Sequence, residues 1–165
     1  MLDIAHMRTA LPLSRLAACG LAAALLAATD AQAAPRGAEA SSFEAAVERN
    51  LAAVIARDHA ALAETITQGE RLLLIFPDGR MTQGREDYLA FHREWFSDPT
   101  WTMSFERLSV QVEGSYGHAL YRTVYDGDGA GPAEPRASYL TLGFRLEDGD
   151  WRLVHDQNTR IANAE

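Results

Sequence analysis

Apolar side chains recur at helical spacing across 42–57, where Phe43, Val47, Leu51, Val54 and Ile55 alternate with Glu44, Glu48 and Arg49 on other faces. Ser41 or Ser42 suits the N-cap of this first helix. Asp58 suits the cap of a second, which opens Ala60-Ala61-Leu62-Ala63-Glu64-Thr65-Ile66 and stops at Gln68-Gly69. The run 71–76 is short and apolar after Arg71, the pattern of a buried strand, and Pro77-Asp78-Gly79 turns it back into a short strand over 80–83. After Gly84, Arg85-Glu86-Asp87 opens a third helix, with its acids where the helix dipole favours them and with Tyr88, Phe91, Trp95 and Phe96 as an aromatic face. The periodicity then drops to two. Strands are predicted over 101–113, 118–126, 136–146 and 151–160, divided by Gly114-Ser115-Tyr116-Gly117, by a Gly/Pro/Asp loop over 127–135, and by the hairpin dipeptide Asp148-Gly149. Helices first and a long-stranded antiparallel meander after them make an α+β fold, with the helices covering one face of the sheet.

The N-terminus follows a different pattern. Arg8 and Arg15 precede an Ala/Leu run over 16–28, and Ala31-Gln32-Ala33 has the small-x-small form of a cleavage site. Residues 1–33 therefore read as a cleaved signal peptide, 34–41 as a flexible lead-in, 42–160 as the folded domain and 161–165 as a tail. Such a leader implies an exported protein, periplasmic or secreted, with no membrane span, because the apolar run is short and Asp30 closes it. The competing lipoprotein box Leu16-Ala17-Ala18-Cys19 has Arg15 directly before it and lacks an apolar segment upstream. Cleavage after Ala33 also removes the single cysteine, and with it any disulfide, thiol nucleophile or Cys-based metal site. The net charge of −8, with fifteen scattered arginines and no lysine, excludes the concentrated basic face that nucleic acid requires.

Three motifs carry a family resemblance. They are Ile75-Phe76-Pro77-Asp78-Gly79 followed by Gly84-Arg85 and a helix, Thr141-Leu142-Gly143-Phe144-Arg145 with Asp148-Gly149 after it, and Trp151-Arg152-Leu153-Val154-His155-Asp156-Gln157. Together they resemble the SnoaL-like branch of the nuclear transport factor 2-like (NTF2-like) superfamily over about 43–159. The resemblance implies a cone, in which three N-terminal helices pack on a strongly curved, mainly antiparallel sheet around a mostly apolar cavity. It implies no single activity, since the fold hosts isomerases, dehydratases, hydrolases, cyclases and assembly modules. In the last strand Gln157 stands where this branch often carries a second histidine. Ketosteroid isomerases of this fold need a carboxylate base before the turn proline, a buried acid on the penultimate strand and a tyrosine in the first helix. Here the first position is Phe76, and the other two fall near Leu142 and near Asn50, so that constellation is missing.

Plain alternation along the last strand puts Trp151, Leu153, His155 and Gln157 on one face and Arg152, Val154, Asp156 and Asn158 on the other. The first set is more apolar at its start and is assigned to the cavity. His155 is then the candidate catalytic acid-base, with a free pKa near neutrality, and Trp95, Tyr121, His155 and Gln157 are the candidate ligand contacts. Asp156 is placed outside the cavity, where with Arg122 it reads as a surface ion pair. His92 and His59 read as exposed or half-buried helix residues. No histidine pair has ligand spacing and no Gly-rich phosphate loop follows a strand, so no metal or cofactor is implied. The expected function is binding of a small apolar or amphipathic molecule in the cone. The alternatives are a cofactor-independent isomerase, hydratase or hydrolase using His155, and an assembly module without catalysis. A homodimer through the outer sheet face, around Tyr139 and Thr141, is the expected assembly.

Overall fold

The computed structural model describes residues 36–127 and 135–162, with side chains from residue 42 onward. The proposed leader, the loop 128–134 and the last residues of the tail lie outside this set. Three helices come first: α1 (Arg36–Ala56), α2 (His59–Thr65) and α3 (Arg85–Phe96). Six strands form one sheet: β1 (Leu73–Ile75), β2 (Met81–Gln83), β3 (Thr102–Glu113), β4 (Tyr116–Asp126), β5 (Arg136–Glu147) and β6 (Asp150–Arg160). The order across the sheet is β2-β1-β6-β5-β4-β3, antiparallel except where β1 lies parallel to β6. The α+β architecture matches the expected one.

The local chemistry explains the boundaries. Asp58 caps α2 by accepting the Ala61 N–H at 2.9 Å through Oδ1. Arg85 opens α3 and reaches back to the end of α2, donating to the carbonyls of Ala63 at 3.0 Å and Thr67 at 2.8 Å. The Ala63 carbonyl is one that the helix end leaves unpaired and Thr67 lies just past the C-cap, so a single guanidinium fixes α3 against the end of α2. One boundary differs from the sequence reading: α1 begins at Arg36, inside the expected lead-in, and Ser42 lies within the helix. Instead of capping, the Ser42 hydroxyl accepts the Trp151 indole N–H at 3.2 Å.

The inner face of the sheet and the helices share one core. Phe43 of α1 is fully buried and meets the rings of Phe144 and Trp151 edge-on, at 5.6 and 5.2 Å between centroids. Val47, Leu62, Ile66 and Leu153 are fully buried in the same core. Two bulges bend the sheet over the helices. In β3 the pairing with β4 slips between Arg107 and Ser109, and in β6 the pairing with β5 slips so that Gly143 faces His155 while Phe144 faces Leu153. The extra residue in β6 is Val154. A bulge of this kind sharpens the local twist and resets which residues face inward, and the second effect decides the site.

Candidate functional site in the cone cavity

A cavity of about 360 Å³ lies between α1, α3 and the concave face of the sheet. Helix α1 contributes Asn50, Leu51 and Val54, and α3 contributes Phe91, His92 and Trp95. Met103, Phe105, Thr123 and Tyr125 line one side of the sheet wall, and Leu140, Leu142, Asp156 and Asn158 the other. Spacings of three and four residues put Tyr88, Phe91, His92 and Trp95 on one face of α3, which is why that helix supplies a continuous aromatic wall. Trp95 is held by stacking on Trp101 at 4.3 Å, while the Trp101 indole donates to the Trp95 carbonyl at 3.1 Å.

The bulge at Val154 overturns the expected face assignment. Trp151 and Leu153 point into the core as expected, but beyond the extra residue the alternation is reversed. Asp156, Asn158 and Arg160 face the cavity, and His155 and Gln157 face the opposite side. There the two are hydrogen-bonded to each other, His155 Nε2 to Gln157 Oε1 at 3.3 Å, and His155 packs beside Gly143 together with Tyr116. His155 therefore has no route to a ligand in the cone. Tyr121 is buried on the inward face of β4, in register with Leu140 and edge-on to Phe105 at 6.2 Å, but does not line the space. Of the four candidate contacts, only Trp95 lines it. Nor do Asp156 and Arg122 pair: Asp156 is buried in register with Leu142, while Arg122 is exposed on the outer face opposite Tyr139.

Asp156 is a buried carboxyl in the cavity wall. It is 8% exposed, and its carboxylate accepts from the Tyr88 hydroxyl at 3.3 Å and from Asn158 Nδ2 at 3.0 Å. Burial raises its pKa from 3.8 to about 7, against the two hydrogen bonds, which favour the charged form. Asn158 also donates to the Ile75 carbonyl at 3.4 Å, which ties the acid's support to β1. Burial and the neighbouring Asp156 charge hold the Tyr88 phenol well above its usual range, so it stays a donor.

His92 was expected at or near the surface but is 3% exposed, because its i+4 spacing from Tyr88 places it on the same inward face. Its Nδ1 lies 2.8 Å from the Tyr88 carbonyl, an acceptor, so Nδ1 carries the proton and Nε2 is left as a lone-pair acceptor. Burial lowers its pKa to about 4, so it is neutral near pH 7. Asn50 adds a buried amide, donating to Thr65 Oγ1 at 2.8 Å. Phe76, Leu142 and Asn50, which stand at the three positions where the isomerase groups were sought, do surround the cavity. The buried carboxyl that lines this cavity comes instead from β6. Among the described residues, no group of three or more His, Cys, Asp or Glu side chains gathers where it could hold a metal.

The sequence profile of the SnoaL-like domain matches residues 43–159. The chain belongs to the SnoaL-like family. Solved structures similar to it include a ketosteroid isomerase-like protein from Erwinia carotovora atroseptica, at 21% identity and a TM-score of 0.63, covering 75% of this chain and 97% of that one. An NTF2-like family protein of Streptomyces avermitilis, provisionally termed a dehydratase, matches at 15% identity and 0.65, covering 78% and 99%. An NTF2-like protein of unknown function from Pseudomonas putida matches at 20% and 0.61, covering 78% and 91%. At these identities the likeness is one of fold. No curated protein matches the sequence.

Proposed function

We propose that this SnoaL-like domain binds a small, largely apolar molecule in its cone and that Asp156, not His155, is the acid-base group that acts on it. The observation that carries this reading is a buried carboxyl, lining an apolar and aromatic cavity, whose pKa of about 7 divides it between its two protonation states at neutral pH. A titratable group perturbed by burial inside a cleft is the usual mark of a functional site. The neutral form donates a hydrogen bond to a ligand carbonyl, and the ionised form takes a proton from a carbon beside one. Trp95 and Phe91 supply flat apolar contact for the body of the ligand. An isomerase- or hydratase-type proton transfer without a cofactor fits this arrangement.

The test is proton exchange at the α-carbon of a bicyclic ketone, 2-tetralone, in deuterated buffer, followed by proton NMR. The protein is expected to accelerate exchange over buffer, with a rate that rises with pH through about 7 as Asp156 ionises. The Asp156→Asn variant is expected to lose at least about 100-fold of that rate, the scale of one general base, while His155→Gln leaves it unchanged. Exchange at the buffer rate with ketone still bound removes the acid-base role and leaves a binding domain.

The same proposal takes residues 1–33 as an export leader and the mature domain as a homodimer. Support for the pairing surface is the outer face of β4 and β5, where Tyr116 and Tyr139 are 45% and 44% exposed.

A further inference from the structure

The cavity is polar at two levels. Along the inward face of β6, Asp156, Asn158 and Arg160 follow one another toward the strand's end. Four residues of strand separate the acid from the arginine, about 13 Å at the usual rise. Arg160 pairs with Ser138 in the strand register, and Arg136, at the start of β5, lines the same opening with its guanidinium 5.4 Å from the centroid of the Tyr125 ring. Arg80 reaches the rim from the turn between β1 and β2, but its charge is met by Asp78 at 2.7 Å. Among the described residues no carboxylate pairs with Arg160, which is exposed at the mouth of a protein whose net charge is −8. A largely apolar cavity with a carboxyl inside and, at its lip, a guanidinium that no described carboxylate pairs with sorts a ligand by orientation. An anionic group is repelled by the interior, where burial without a partner is costly, and is met at the lip by planar donors that suit a carboxylate.

We propose that the ligand of this cone is an amphipathic organic acid, seated with its apolar body against Trp95 and Phe91 and its carboxylate at the mouth on Arg160, with Arg136 beside it. This rests on the reading of the cone as a ligand cavity and specifies the class of molecule that enters it.

The test compares 2-naphthoate with its uncharged methyl ester by isothermal titration calorimetry at pH 7. The acid is expected to bind about tenfold tighter than the ester, the scale of one charge-assisted contact that is partly exposed to water. Arg160→Gln is expected to remove most of that preference while changing the ester's affinity less than twofold, and Arg160→Lys to restore part of it. Raising the salt concentration narrows the gap, because the guanidinium is exposed. Equal binding of acid and ester to the unaltered protein overturns the inference and leaves the cavity reading intact. A preference that survives both Arg160→Gln and Arg136→Gln also overturns it. Absence of binding by either compound overturns the cavity reading and this inference with it.

Discussion

Asp156 is stabilised against its own burial by two donors, and it still costs the fold something to carry it as an anion. In the unfolded chain it ionises at its ordinary value of 3.8, and in the native state at about 7. Between those values the native state holds a proton that the unfolded chain has lost. The stability contributed by the neutral carboxyl is therefore fully present below 3.8 and is lost as pH rises toward 7. His92 acts with the opposite sign. Its pKa is lowered to about 4 from 6.5, so stability is lost as pH falls through that window, where only the unfolded chain is protonated. The two slopes oppose each other over most of the same range. In urea titrations, Asp156→Asn is expected to be more stable than the unaltered protein at pH 8, by up to about 4 kcal/mol for a shift of this size. The gain should fade to nothing near pH 4, where the carboxyl is already neutral. A variant no more stable at pH 8 than its parent would mean that Asp156 ionises without difficulty and is not set apart for acid-base work. Greater stability with lost proton exchange is the expected signature of a residue kept for function rather than for folding.

At the scale of elements, the site depends on how closely β4 and β6 approach the helices. Gly117, in β4, lies against the ring of Phe43 in α1, and a Cβ there would come within 2.7 Å of it. Phe43 is enclosed by Phe144 and Trp151 and has no space to retreat. Gly117→Ala should therefore destabilise the domain by about 1–3 kcal/mol, the ordinary cost of overpacking a filled core. Denaturant unfolding read by tryptophan fluorescence measures this. A neutral result would show that α1 shifts freely on the sheet. The two bulges matter for a related reason. They curve the sheet enough to leave space between α3 and β4–β6, and the one at Val154 selects Asp156 over His155. Strand lengths, turns and the cap of α2 were legible in the sequence because each rests on neighbouring residues: Asp58 at its cap, Pro77-Asp78-Gly79 at its turn, Asp148-Gly149 at its hairpin; the cap expected at Ser41 or Ser42 was not, since α1 runs through both. The bulge was not. An extra residue in Leu153-Val154-His155 leaves no local mark, since all three side chains suit a strand and only the pairing with Gly143 and Phe144 reveals it.

For the domain as a whole, the outer face of the sheet is a surface that the described helices leave uncovered. It carries His155 and Gln157 on β6, the exposed Tyr139 on β5 and Tyr116 on β4. Two of the four expected ligand contacts, His155 and Gln157, thus fall on the surface proposed for pairing, where a histidine and an amide provide hydrogen bonds across an interface. Native mass spectrometry of protein recovered after export is expected to report a dimer of chains beginning at Ala34. Tyr139→Glu should convert it to a monomer whose affinity for 2-naphthoate is unchanged, since Tyr139 points away from the cone. A monomeric parent protein removes the pairing proposal, and a chain retaining residues 1–33 removes the leader.

By itself the sequence determined the elements, their order, the α+β class and the family, because periodicity, caps and turns are properties of short stretches. It also showed that Phe76, Leu142 and Asn50 cannot do the isomerase's work, and the structure finds those three positions around the cavity. It placed the aromatic wall of α3 correctly and put the last strand against the helices. Which face of that strand holds the acid was decided only by the tertiary structure. Inward and outward differ by one residue of register, and register after a bulge is set by the partner strand rather than by the strand's own residues. The raised pKa of Asp156 follows from that placement. The same carboxyl one residue along would face the outer side of the sheet, without the burial that raises its pKa.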